Sequence, residues 1–216
     1  MPAAVLKKQF ESVLGGHLDW QSRPPLDWIR SGISGIEIPR GSLTEIFGPA
    51  SSGRTSLLVS ILAAATSREE ACALVDADDA FDPTSAAAAG VRLERLLWVR
   101  SAHNAEHALK AVDLLIQGGG FGVVAMDLGD SSPATARRIS LTSWFRLRRA
   151  VEHTPTMLVT VSRQPNAKTC ASLILECRRE RIAWSGTTPL LRAIGVRVTS
   201  RNRSKVCSPL FTAAAI

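Results

Sequence analysis

The sequence has 216 residues, which at about 150 residues per domain suits one medium domain built on one hydrophobic core. With 45% hydrophobic and 21% charged residues, it has the composition of a globular chain, which excludes intrinsic disorder and fibrous repeats. Most of the net charge of +7 lies in the second half, where the basic residues between Arg137 and Arg203 are opposed only by Glu152, Glu176 and Glu180. A surface of that sign attracts phosphate polyanions.

Residues 1–30 form a lead-in, with a short helix expected near Pro2 to Leu14 that Gly15-Gly16 and Pro24-Pro25 terminate. Residues 31–216 are expected to form the core domain. Leu43 to Phe47 is a short strand, Gly48 to Gly53 a glycine- and serine-rich turn, and Thr55 to Thr66 an alanine-rich helix. The apolar run from Cys72 to Val75, ending at Asp76, is a buried strand, and Thr84 to Ala89 a helix. Leu96 to Val99 is a strand, Ala105 to Ile116 a helix, and Val123 to Met126 a strand that ends in Asp127. One helix is expected from Ser132 to Val151, then a strand from Met157 to Val161. From Ala171 onward the strand-like runs 173–175, 181–184 and 195–199 extend the sheet in antiparallel fashion. Short apolar strands alternating with helices specify an α/β fold with a mainly parallel central sheet flanked by helices, and antiparallel strands at the C-terminal end.

No apolar stretch approaches the roughly 20 residues of a membrane span, and the start MPAAVLKKQF has no apolar region of the kind that directs secretion. A cytoplasmic location is expected. Cys72, Cys170, Cys177 and Cys207 are scattered and read as reduced, mostly buried side chains. His103 and His107 flank Glu106 at helical spacing but lack a third ligand, so a surface helix is the better reading. The five tryptophans, Trp20, Trp28, Trp98, Trp144 and Trp184, read as core or subunit contacts.

Gly48-Pro49-Ala50-Ser51-Ser52-Gly53-Arg54-Thr55 has the spacing of a phosphate-binding loop between a strand and a helix. Gly48, Ser51, Ser52, Gly53, Arg54, Thr55 and Ser56 are therefore the candidate nucleotide-binding residues. Arg54 stands where such loops carry lysine, and its planar guanidinium does not mimic a compact ammonium. Thr55 would face a magnesium ion, and Asp127 is placed to hold it.

These residues carry a family resemblance. Arg40 to Leu57 resembles the Walker A region of RecA recombinases, and Asp76-Ala77-Asp78-Asp79-Ala80-Phe81-Asp82-Pro83 is similar to their D-A-E-H-A-L-D-P segment. The similarity runs through Gly90 to Leu97 and reaches Arg201-Asn202-Arg203, which resembles the family's K-N-K. The resemblance implies a RecA-like P-loop core, ATP and Mg2+ as cofactors, and a contact from Arg201 and Arg203 to the nucleotide of the next subunit. It also implies decay. Asp78 replaces the family's water-activating glutamate and is one methylene shorter. Asp82 keeps the adenine contact, but Ser85 replaces the tyrosine that stacks on the base. Gln164 is the candidate sensor. The segments that match the DNA-binding loops are shortened to Gly129–Pro133 and Arg163–Lys168.

A short, degenerate RecA-like chain resembles the ImuA and SulA-like group. That resemblance implies an accessory protein of the bacterial SOS response that supports translesion synthesis with weak or absent ATP hydrolysis. Its implied partners are an ImuB-like protein, an error-prone polymerase, RecA, a second copy of itself and DNA. Arg137, Arg138, Arg146 and Arg149 are the candidate DNA contacts, although an amphipathic cover helix with these arginines on its solvated face is the better reading of the same residues. The alternatives are an active DNA-dependent ATPase or recombinase, and a SulA-like division inhibitor acting by protein binding.

Overall fold

The computed structural model describes residues 28–185, 190–201 and 209–214. The helix expected near Pro2 to Leu14, and Trp20, Arg203 and Cys207, lie outside the described residues. A two-stranded antiparallel hairpin comes first, β1 (Trp28–Arg30) against β2 (Glu37–Pro39). The expected division at residue 30 falls at the end of β1. The remaining strands are β3 (Ser42–Phe47), β4 (Cys72–Asp76), β5 (Leu96–Arg100), β6 (Val123–Asp127), β7 (Met157–Ser162), β8 (Leu173–Trp184), β9 (Leu191–Ser200) and β10 (Leu210–Ala214). They form one sheet in the order β10-β9-β8-β3-β7-β6-β4-β5. Every pairing from β8 to β5 is parallel, and β9 and β10 add antiparallel strands at the other edge.

The helices are α1 (Arg54–Ser67), α2 (Pro83–Ala88), α3 (Ala105–Gly118), α4 (Pro133–Ala136) and α5 (Leu141–Val151). Strands β4, β6 and β7 are buried along their whole length, because a parallel strand covered on both faces has no solvent side. One core packs Leu57, Leu58, Ile61 and Leu62 of α1 on Ile46, Leu74, Val159 and Val196. The other packs Val112 and Ile116 of α3 and Trp144 and Leu147 of α5 on Val75, Val124, Met126 and Leu158. The carboxyl ends of β3, β4, β6 and β7 meet at one edge, where Phe47 is level with Ser162, and Asp76 with Asp127. Ligands of open α/β sheets bind at that edge.

Three expectations need correction. The helix expected from Ser132 to Val151 is two helices, because Ser140 takes an extended conformation and caps α5 by accepting from the Ser143 amide. Arg137 and Arg138 therefore precede α5 and do not share a helix with Arg146 and Arg149. The segment after Ala171 is not antiparallel throughout: β8 pairs parallel with β3 and antiparallel only with β9. His103 has φ of +60° and lies before Asn104, the N-cap of α3, so it does not share a helix with His107.

Candidate phosphate-binding site

The glycine-rich turn joins β3 to α1, and two of its glycines are demanded by close approach. A Cβ on Gly48 would lie 2.4 Å from the Cys177 carbonyl oxygen and 2.5 Å from Ser52 Oγ. Gly53, the N-cap of α1, has φ of +85°, and a Cβ there would lie 2.3 Å from Val196 Cγ2. The loop is thus pressed against β8 and β9, with the first-turn amides of α1 facing outward, as helix N-termini do. Ser51 takes φ of +56°. Ser52 is buried, with its Oγ unpaired among the described residues. Thr55 is exposed and borders two clefts that flank the start of α1, and Ser56 lines both as well.

Arg54 turns inward. Its side chain is 6% exposed, and its guanidinium donates to the carbonyl oxygens of Gly48 and Gly129, each at 2.5 Å. The same group forms an ion pair with Asp130 at 3.4 Å. Burial pulls its pKa below the usual guanidinium value, opposed by the negative charges of Asp127 and Asp130. Arg163 joins the cluster by donating to the Gly129 carbonyl at 3.1 Å and pairing with Asp130 at 3.5 Å. The phosphate loop is therefore tied by Arg54 to the turn after β6, and that turn by Arg163 to the segment after β7.

Asp127, at the end of β6, is buried and accepts from the Gly129 amide at 2.7 Å. Burial pushes its pKa up to about 6, against the lowering effect of that hydrogen bond. Asp76, a strand end and the first residue of the D-A-E-H-like segment but not among the candidate site residues, organises the neighbouring turn. Its carboxylate accepts from the amides of Asp78, Ala80 and Phe81 and from Trp98 Nε1. Its signal in the sequence is a carboxylate ending an apolar strand before a short polar turn, a position where buried amides need an acceptor.

Asp78 accepts from Ser131 Oγ at 2.9 and 2.8 Å, and His103 Nδ1 lies 3.9 Å away. Asp82 caps α2, accepting from the amides of Thr84 and Ser85 and from Ser85 Oγ; these bonds, led by the Ser85 hydroxyl, hold its carboxyl below the usual carboxylate range. Its cleft, of about 930 Å³, also takes in Thr55, Phe81, Ser85, Asp127 and Phe211. Arg201 forms an ion pair with Glu176, which also binds Arg178. Gln164 accepts from Arg137 at 2.8 Å, and both border a separate cleft with Lys168. Arg146 pairs with Asp113 at 3.5 Å, while Arg138 and Arg149 are exposed.

Residues 25–138, more than half of the chain, match the RecA N-terminal domain. The chain belongs to the RecA family. It is 34% identical to Protein RecA of Deinococcus radiodurans over 145 residues, which is 61% of this chain and 39% of the relative. It is 33% identical to Protein RecA of Chloroflexus aurantiacus over 148 residues, 62% and 41% of the two chains. It is 31% identical to Protein RecA of Ectopseudomonas oleovorans over 158 residues, 63% and 45%. The aligned part of this RecA-family chain spans about two fifths of the length of these curated relatives. No helix among the described residues is long and apolar enough to cross a membrane, and no group of three or more metal-ligating side chains occurs among them.

The backbone suits a phosphate chain. Gly48 and Gly53 admit no side chain, the start of α1 opens to the clefts, and Thr55 supplies an exposed hydroxyl. The side chains suit phosphoryl transfer poorly, because Arg54 is occupied by carbonyls of its own chain and Asp78 by Ser131.

Proposed function

We propose that this RecA-family chain is an accessory protein of the bacterial SOS response that supports translesion synthesis and binds ATP with weak or no hydrolysis. The observation that carries the weak hydrolysis is Arg54, whose guanidinium is bound inside the protein to Gly48, Gly129 and Asp130. In this reading Gly48, Ser51, Ser52, Gly53 and the first-turn amides of α1 hold the phosphates, and Thr55 and Asp127 hold Mg2+. The ion's contribution is to neutralise phosphate charge. Two features of the chain itself oppose turnover. The Asp78 carboxylate is oriented by Ser131 and is shorter than a glutamate, so it positions water poorly. Arg54 must give up two carbonyl contacts before it can reach a phosphate.

Function then lies in binding. The basic second half suits DNA or another polyanion, and the implied partners are an ImuB-like protein, an error-prone polymerase, RecA and a second copy of this chain. Deleting the gene in its own host tests the reading. Damage-induced mutation should fall about tenfold while recombination is unchanged, and Asp78→Ala should restore mutation as well as the wild type does. Loss of recombination, or failure of Asp78→Ala to complement, would favour the active ATPase instead. Division arrest on overexpression with unchanged mutation would favour the SulA-like role.

A further inference from the structure

The upper part of β8 and β9 is an exposed ribbon that rises past the phosphate loop, and its register sets which side chains face that loop. Cys177 pairs with Val198, and Arg179 with Val196, the residue that meets Gly53. Between these pairs and the next, β8 advances two residues while β9 advances one, so Glu180 is the extra residue of a bulge. A second bulge makes Arg192 the extra residue of β9. Ile182 therefore stands opposite Ile194, Trp184 opposite Leu191, and all four border the phosphate loop's cleft together with Arg179. Without the bulge at Glu180, alternation would put Arg181 rather than Ile182 on this side.

The core-facing stripe thus continues outward beyond the core. Val196 and Val198 are fully buried, whereas Ile182, Trp184 and Leu191 are 43%, 57% and 45% exposed. The cleft has a volume of about 510 Å³, within the range of small-ligand sites, which is roughly 300–1,000 Å³. Its chemistry changes in order along the wall: helix-start amides and hydroxyls, then the Arg179 guanidinium, then aliphatic side chains and an indole. A nucleoside phosphate has the complementary order of anion, sugar and planar ring, and base-on-indole stacking is a strong aromatic contact.

We infer that Trp184, with Ile182 and Ile194, is the base platform for a nucleoside phosphate whose phosphates lie on the loop of residues 48–55. The base thus sits on the β8–β9 ribbon, not in the Asp82 and Ser85 cleft, where the carboxylate is engaged as a helix cap. The inference rests on the proposal that this loop holds a nucleotide.

Calorimetric titration of the full chain with ATP, and separately with inorganic tripolyphosphate, both with Mg2+, tests it. The wild type should bind ATP about tenfold or more tightly than tripolyphosphate. Trp184→Ala should lose that advantage while binding tripolyphosphate as the wild type does, which also shows that the variant is folded. ATP should quench the part of the tryptophan emission that Trp184→Phe removes. Wild-type ATP affinity in Trp184→Ala, or a loss of ATP affinity in Ser85→Ala instead, would overturn the platform and leave nucleotide binding standing. Absence of binding to either ligand would remove both. Trp184 emission that responds to protein concentration and not to ATP would overturn the platform and make the ribbon a self-association surface.

Discussion

A guanidinium presents its donors in a fixed plane, whereas an ammonium presents a point charge, and at position 54 that difference sets what the phosphate loop can do. Two of the Arg54 donors reach carbonyls contributed by the loop and by the turn after β6, a geometry that one ammonium cannot reproduce. Arg54→Lys is expected to lose about 1–2 kcal/mol of stability, read from the denaturant midpoint. It should nonetheless bind tripolyphosphate about tenfold more tightly, since the lysine is held less firmly inside. A loss of affinity in step with the loss of stability would show that the inward guanidinium does not compete with phosphate. Glu45 gives a second test at this scale. It is buried in the middle of β3, one carboxylate oxygen accepts from the amides of Asn166 and Ala167, and the other has no partner among the described residues. Burial raises its pKa above the usual carboxylate value. A raised acid favours the folded state at pH below its unfolded pKa, and that contribution is lost as pH rises through the folded one. Glu45→Gln keeps an acceptor for both amides and removes the buried charge, so its gain in Tm should be larger at pH 8 than at pH 4. An equal effect at both values would mean that the carboxyl is not desolvated.

Among the elements, those whose signal is local were legible from the sequence and those set by distant neighbours were not. The parallel strands from Leu43 to Val161 and helices α1, α2 and α3 lie where runs of apolar residues and flanking Gly, Asp and Asn place them, with ends shifted by one or two residues. The break at Ser140 was missed because arginines and alanines on both sides suit a helix, while the serine cap acts only once the chain has turned. The two bulges of the ribbon have no composition signal, since they are defined by the register against β9. Within the site, the loop spacing marked Gly48 to Thr55, but one of the two carbonyl acceptors of Arg54, that of Gly129, lies on a turn 75 residues away. The contact of Gly53 with Val196 is of the same kind, and it joins α1 to β9. Gly53→Ala must place a Cβ against Val196 at positive φ, with an expected cost of about 2–4 kcal/mol. Adding Val196→Ala relieves the clash but not the dihedral strain. A double-mutant cycle should therefore show a favourable coupling of about 1–2 kcal/mol. Simple additivity would mean that the loop rests on β9 without being shaped by it.

For the molecule as a whole, the question is which of the cations behind the +7 charge are available to a polyanion. The structure sorts them. Arg146 and Arg148 are paired with Asp113 and Glu152, and Arg178 and Arg201 with Glu176. Arg137 is held by the uncharged Gln164 amide and keeps its field. Arg138 and Arg149 are exposed, with no ion pair formed among the described residues. A single-stranded oligonucleotide should thus be held more by Arg138 and Arg149 than by the paired arginines. Each phosphate contact contributes about 0.7 to the slope of log K against log salt for a single strand. Arg138→Ser with Arg149→Ser is expected to lower that slope by about 1.4, measured by fluorescence anisotropy with a labelled oligonucleotide over a salt series. Arg146→Ser with Arg148→Ser should change it less, because those charges are already partly neutralised by their carboxylates. Equal effects from the two pairs would reject this sorting, and binding insensitive to salt would remove DNA phosphate from the list of partners for the basic half.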